Sequence, residues 1–257
     1  MIELKDLTIG YIGKKKQPTV IASGINANIT TGQLTCLLGP NGVGKSTLLK
    51  TLTAFLPKLS GKILIDGNDI DSYNEKQLAR LIGVVLTERT NVQNMTVEEL
   101  VSLGRSPYTG FWGRLDDDDK EMVADAMRQA GIMRLAHRYV DTLSDGERQR
   151  AMIAKALAQN TPLICLDEPT SFLDFQSKVE MLRLLRHLSS NGGKTIFLST
   201  HDVELALQMA DNLWLMEKNS NLNIGTPRQL ADNGSLNRFF DNDFISFDPA
   251  TFRLVIK

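Results

Sequence analysis

The chain has little of what would staple it, or carry it through a membrane. Only two cysteines occur in 257 residues; that is too few for a disulfide framework, and neither has a partner at metal-ligand spacing. No apolar run approaches the roughly 18 residues that span a bilayer, so no unaided crossing is expected. Excess charge of either sign is missing too: 29 Lys+Arg against 30 Asp+Glu leave a formal net charge of −1. Bulk electrostatics therefore predict no general attraction to nucleic acid or to an anionic membrane. Disorder needs low hydrophobicity and a large net charge, and 42% hydrophobic residues argue against it. The opening MIELKDLTIGY carries charges where a secretory signal needs an apolar stretch. Internal repeats and low-complexity linkers are absent. These bounds predict a cytosolic globular protein of one large domain or two small ones.

What is present begins with strand and turn signals. Ile2, Leu4 and Ile9 share an alternating stretch that ends at Tyr11, and a basic turn, Lys14-Lys15-Lys16, leads to PTVIASGINANI. Those lysines read as a solvated hairpin tip. A short apolar run, Leu34 to Leu38, meets a Gly-rich loop, a helix is expected from Lys45 to about Phe55, and GKILIDG reads as a further strand. From Thr96 to Asn160 nearly everything is helix-compatible, with capping boxes at Thr96 and Glu99 and at Ser144 and Glu147, and the acidic run 116–119 opening another helix. After Pro162 the strand–helix alternation resumes, with PLICLDEP, a helix near Asp174 to Ser190 and the strand KTIFLST. Alternation at both ends with a helical middle predicts an α/β fold with a mainly parallel sheet, an N-terminal antiparallel β portion and an inserted α-helical subdomain; the run GPNGVGKST at residues 39–47 makes its core that of a P-loop NTPase. The expected organisation is one domain, with core 1–87 and 161–257 and a helical insertion at about 88–160.

Residues 39–47, GPNGVGKST, carry the chemistry. Gly39, Gly44, Lys45 and Ser46 fit the P-loop pattern between an apolar strand and a helix. Glycines let backbone N–H groups converge on phosphate oxygens, and the helix N-terminus adds its positive end. Lys45 reaches the β- and γ-phosphates, and the Ser46 hydroxyl ligates Mg²⁺; Pro40, Asn41, Gly42 and Thr47 complete the nucleotide-binding run. Leu163 to Leu166 form an apolar strand that ends in Asp167 and Glu168. Beside a P-loop, Asp167 is the expected metal ligand, and Glu168 the acceptor of a proton from the attacking water. Cys36 and Cys165 lie in the two strands leading to these loops and read as small buried packing residues.

In this order the motifs resemble the ATP-binding subunit of an ABC transporter, over nearly the whole chain. The resemblance implies further roles. Tyr11 stands where the family places an aromatic ring against adenine. Leu143-Ser144-Asp145-Gly146-Glu147 is similar to the LSGGQ signature, so Ser144 and Gly146 would face the ATP held by a second copy. Ser171 to Asp174 resembles the D-loop, and His201 stands at the switch histidine that contacts the γ-phosphate. Two departures are visible. LSDGE puts carboxylates at Asp145 and Glu147, which are expected to point outward. The Q-loop glutamine is missing, and either Thr87 or Glu88 would contact the Mg²⁺ shell in its place.

Within that family, MTVEELVSLGRSPYTGFWGRL looks like the helical-subdomain entry of importers for iron chelates, haem and cobalamin. Tyr108, Phe111 and Trp112 fill a local satellite core, floor a groove for a permease helix, or do both, and charge reversal at Arg105 or truncation of Trp112 is expected to uncouple transport while sparing basal ATP hydrolysis. The resemblance implies a peripheral ATPase on the cytoplasmic face of the inner or plasma membrane, using ATP and Mg²⁺. Its partners would be a second copy of itself, integral membrane permease subunits and a separate substrate-binding protein, with no nucleic acid. A soluble ABC-type ATPase of iron–sulfur cluster assembly is the alternative.

Overall fold

The computed structural model describes residues 1–13, 17–86, 94–110, 112–218 and 222–257. The basic turn 14–16, Phe111, and both Thr87 and Glu88 lie outside the described residues. Strands β1 (Ile2–Ile12), β2 (Pro18–Ile29) and β3 (Leu34–Leu38) precede helix α1 (Lys45–Leu52). Strands β4 (Ser60–Ile65) and β5 (Asn68–Asp69), helix α2 (Glu75–Leu81) and strand β6 (Ile82–Val85) follow. Helices α3 (Val97–Ser102), α4 (Asp117–Gln129) and α5 (Asp145–Ala158) then lead to β7 (Leu163–Asp167) and α6 (Phe175–Ser190). The chain continues through β8 (Thr195–Ser199), α7 (Val203–Met209), β9 (Asn212–Met216) and β10 (Leu222–Gly225). It ends with α8 (Pro227–Asp232), α9 (Ser235–Phe240), β11 (Ile245–Asp248) and β12 (Arg253–Ile256). Contacts divide it into two compact units, residues 1–72 with 185–257, and residues 73–184.

In the first unit an antiparallel sheet has the order β2-β1-β4-β5. Ile2, Leu4, Leu7 and Ile9 of β1 are all buried, although strict alternation would send Leu7 to the other face. A bulge resolves the conflict: the register shifts between Leu4 and Leu7, where Asp6 has φ +46° and donates its N–H to Asn26 Oδ1 at 3.0 Å. A second set of strands runs β10-β9-β3-β8, with β3 parallel to both β8 and β9 and only β10 antiparallel. Every residue of β3 and β8 is buried, as expected of parallel strands covered on both faces. Phe197 meets Trp214 edge-on at 4.9 Å between ring centroids in this core. Helix α1 stops at Leu52 rather than near Phe55, because Ala54 takes a left-handed φ of +59°. The terminal hairpin β11–β12 forms as expected, its turn tied by Ala250 N–H to Asp248 Oδ1 at 2.9 Å.

In the second unit β6 lies parallel to β7, from Ile82 opposite Leu163 to Val85 opposite Leu166. Helices α3, α4 and α5 pack on one another. The expected cap at Thr96 is present, accepting the Glu99 N–H at 3.2 Å, and the acidic run goes further than a favourable helix start: Asp116 accepts the Asp119 N–H at 2.8 Å. Asp117 and Asp119 are each committed to a cation, Lys120 and Arg105, so the acidic run is built as a helix start.

Arg105 corrects an expectation. It is only 8% exposed, and donates Nε to Asp119 Oδ1 and Nη1 to the Ala158 carbonyl, both at 2.8 Å. It thereby joins the ends of α3, α4 and α5, and a charge reversal there would set two carboxylates together out of water. Its guanidinium also lies 4.0 Å from the Tyr108 ring centroid, and that of Arg80 lies 5.0 Å away. Tyr108 therefore belongs to the packing of this unit, whereas Trp112 is 83% exposed and fills no satellite core. Gly104 permits the approach, since a Cβ there would sit 2.2 Å from the Lys155 carbonyl. Arg105→Ala should cost about 3–5 kcal/mol, because it leaves Asp119 buried and unpaired. An Arg105→Met/Asp119→Leu double variant should recover most of that loss in urea unfolding. A single-variant loss below about 1 kcal/mol would show that the pair is no clamp.

Candidate functional site

The phosphate loop lies in the first unit, where β3 runs out between β8 and β9. Gly39 follows directly, and a Cβ there would fall 2.7 Å from the Met216 carbonyl and 2.9 Å from Val43 Cγ1. Gly44 is the N-cap of α1 with φ +114°, a conformation that side chains oppose, and a Cβ would meet Ile21 Cγ2 at 2.5 Å. Pro40, Asn41 and Gly42 form the exposed outer turn, and around Gly42 the space is open to 4 Å. Lys45 is buried to 6% exposure and donates Nζ to the carbonyls of Gly39 at 2.8 Å and Pro40 at 3.3 Å. The ammonium is thus held over the loop that would take the phosphates. The opening N–H groups of a helix lie beyond its own carbonyls, and an anion satisfies them. These residues fit a polyphosphate. Ser46 is exposed on the first turn and supplies a hydroxyl oxygen of the hard kind that Mg²⁺ takes.

Tyr11, next to last in β1, is 45% exposed, and Thr47 is buried on α1. The Tyr11 hydroxyl and Thr47 Oγ1 are 2.6 Å apart in a hydrogen bond that fixes the ring beside the loop. No sequence signal pointed to that tie. His201 follows β8, and its loop is pinned to β3 by the Thr200 N–H on the Leu37 carbonyl at 3.1 Å. Asp202 N–H on Thr200 Oγ1 at 3.0 Å tightens the turn. His201 shares with Gly39 and Pro40 the wall of a cavity of about 450 Å³. The structure therefore brings the predicted histidine to the start of the P-loop. Phe239, Phe240 and Leu254 of the C-terminal segment line the same cavity, a placement the sequence did not signal.

In the second unit β7 is buried along its length and ends at Asp167, itself 7% exposed. Glu168 has φ +46°, an uncommon backbone for a residue with a side chain and a conformation that costs about 1–3 kcal/mol. Its Oε2 accepts the Ser171 hydroxyl at 2.9 Å, and its carbonyl accepts the Ser171 N–H at 3.1 Å. Ser171 thus orients the carboxylate, a function the D-loop resemblance did not supply. Asp174 caps α6, accepting the Ser177 N–H at 2.8 Å, and that bond holds its carboxyl below the usual range.

Ser144 and Gly146 open α5, where Ser144 is the N-cap. Asp145 is exposed, but Glu147 does not point outward. Its Oε2 takes the Ser144 N–H at 3.1 Å and the Ser144 hydroxyl at 3.2 Å. The Ser144 backbone bond first, then the hydroxyl, Arg138 and Arg134, hold the Glu147 carboxyl below its ordinary range. Among the described residues no group of three or more His, Cys, Asp or Glu side chains could hold a metal ion. Nor, among them, is any helix long and apolar enough to cross a membrane.

A family model described as ABC transporter matches residues 22–171. The ferric enterobactin transport ATP-binding protein of Escherichia coli (strain K12) is 37% identical over 236 residues, covering 92% of this chain and 85% of that protein. The iron(3+)-hydroxamate import ATP-binding protein of Bacillus subtilis (strain 168) is 35% identical over 251 residues, covering 97% and 91% respectively. Among solved structures, the dimeric structure of MJ0796, a bacterial ABC transporter cassette, superposes with a TM-score of 0.76 at 26% identity. That match covers 88% of this chain and 99% of the other.

Burial pushes the thiols of both Cys36 and Cys165 up to about 12, with Asp211 adding to the shift at Cys36. The folded chain should therefore leave both thiols unlabelled by a maleimide at pH 8, and expose two on unfolding. Folding holds these groups protonated, so their contribution is intact below the unfolded thiol value. It should decline as pH rises above about 8.5. Rapid labelling of the native chain would contradict the packing assignment.

Proposed function

We propose a function from one premise: the chain belongs to the ABC transporter family, as an ATP-binding subunit whose ATP hydrolysis is coupled to transport. On our reading it powers uptake of an iron–siderophore, haem or cobalamin-type substrate through partner permease subunits, with a separate substrate-binding protein delivering the cargo. The observation that carries this reading is the alignment of 92% and 97% of the chain with two ATP-binding proteins, one of ferric enterobactin transport and one of iron(3+)-hydroxamate import. Trp112 supports it: the ring is 83% exposed, as a side chain that receives a permease helix would be. The chain would then sit peripherally on the cytoplasmic face of the membrane. The relatives give the iron–sulfur assembly alternative no support.

The residues divide the reaction among themselves. The P-loop amides and Lys45 bind the β- and γ-phosphates, and the exposed face of Tyr11 takes the adenine, a stack worth about 1–3 kcal/mol. Ser46, Asp167 and one of Thr87 and Glu88 would hold Mg²⁺, which when bound offsets phosphate charge. Glu168 accepts the proton of the water that attacks the γ-phosphorus, and His201 contacts the γ-phosphate from the loop after β8. Ser144 and Gly146 complete the site of a second copy, so two chains close on two ATP molecules. Closure on ATP and opening after hydrolysis is a ligand-driven population shift.

Glu168→Gln should bind ATP, associate as a stable dimer and lose hydrolysis by at least about a hundredfold. Lys45→Ala should weaken nucleotide binding itself. Equilibrium nucleotide binding, size-exclusion chromatography in ATP and phosphate release separate the two. Tagged chain recovered from detergent-solubilised membranes should carry a polytopic permease at equal stoichiometry. Recovery with soluble partners alone would overturn the importer reading.

A further inference from the structure

The start of α5 holds a charge arrangement that neither the P-loop nor the signature resemblance explains. Ser144 spends both of its donors on one oxygen: its N–H at 3.1 Å and its hydroxyl at 3.2 Å both reach Glu147 Oε2. A serine hydroxyl has a single proton. While that proton sits on Glu147, it is not offered to a phosphate oxygen. Two guanidinium groups flank the same carboxylate, Arg138 Nη1 at 3.7 Å from Oε2 and Arg134 Nη2 at 3.8 Å from Oε1. Those separations are too long for hydrogen bonds but close for charges. Arg138 is anchored by a 2.7 Å bond to the Thr142 carbonyl, whereas the Arg134 side chain is 80% exposed. A cavity of about 360 Å³ opens here, lined by Arg134, Ser144, Gly146, Glu147 and Arg150.

We infer that Glu147 is a charge gate on the signature face: it holds the Ser144 hydroxyl until the second copy's ATP arrives, and Arg134 and Arg138 screen its repulsion of that triphosphate. The inference rests on the two-copy reading above and adds to it. These three are positioning residues that act on Ser144. The exposed Asp145 on the same turn adds to the negative field, so the arginines offset more than one carboxylate. A capping box accepts glutamine as readily as glutamate at its third position. Glu147→Gln therefore removes the charge while keeping the helix start, and Arg134→Ala removes screening from a side chain with no packing to lose.

The test titrates ATP against association of the full chain carrying Glu168→Gln, followed by light scattering at low and high salt. Added Glu147→Gln should lower the ATP concentration for half-maximal association about tenfold, and should reduce its salt dependence. Arg134→Ala should raise that concentration several-fold, and by a clearly smaller factor once Glu147→Gln is present and only Asp145 is left to offset. ATP binding to the monomer and the melting temperature should stay unchanged throughout, which a merely structural role would not preserve. An unshifted midpoint for Glu147→Gln, or equal weakening by Arg134→Ala in both backgrounds, overturns the gate and leaves the two-copy reading standing. A Glu168→Gln parent that stays monomeric in saturating ATP overturns that reading, and the gate with it.

Discussion

The first unit depends on a lack of room at the end of β3. That strand runs buried between β8 and β9, and where it emerges the Met216 carbonyl leaves no space for a Cβ at residue 39. The chain must turn there, and only glycine can make the turn at that distance. Everything nearby inherits the position. The Gly39 and Pro40 carbonyls locate the Lys45 ammonium, and the Leu37 carbonyl holds Thr200, hence the loop bearing His201. One strand end thereby sets both the cation over the loop and the histidine beside it. Backbone carbonyls of the strand and loop take part in holding both.

Helix starts are the second recurring device. Asn74, Thr96, Asp116, Ser144 and Thr226 all head capping boxes, each with its partner three residues on. At four of these the box simply ends a helix. At Ser144 the same bonds occupy the hydroxyl that the signature resemblance assigns to a phosphate. If that assignment holds, as the gate proposal requires, a structural motif and a functional one compete for one proton, and the charge of the third residue sets how hard that proton is to release.

Much of this was legible because it is local. The P-loop, the acidic end of β7, the caps at Thr96 and Ser144 and the terminal hairpin are all written within a few consecutive residues. What escaped the sequence needs a partner far along the chain or a break in periodicity. Leu7 is buried because Asp6 bulges, which alternation alone cannot show. Arg105 reads as a surface cation, yet its partners are Asp119 and Ala158, 14 and 53 residues away. The tie between Tyr11 and Thr47 crosses 36 residues, and the bond of Ser171 to Glu168 is short-range but has no motif. Phe239 and Leu254 beside His201 were unreadable for the first of these reasons.

The same guanidinium–carboxylate chemistry takes two different roles in the second unit, and burial decides which. Around Arg105 and Asp119 the side chains are about one-tenth exposed, so water cannot replace a lost partner. Such a pair is costly to break, and suits a junction of helices that must not move. Around Glu147, Arg134 is 80% exposed and Arg138 46%, and exposed pairs contribute about 0–1 kcal/mol to folding. Their value to stability is therefore small, and they can exchange partners at little cost. On the gate proposal that weakness is useful near an incoming triphosphate: charges so loosely committed would turn from a carboxylate to a phosphate without unmaking the helix they adjoin. A chain whose net charge is −1 has no bulk attraction to draw two copies together around a polyanion. On the gate proposal, the exposed cations beside Glu147 would supply that attraction locally.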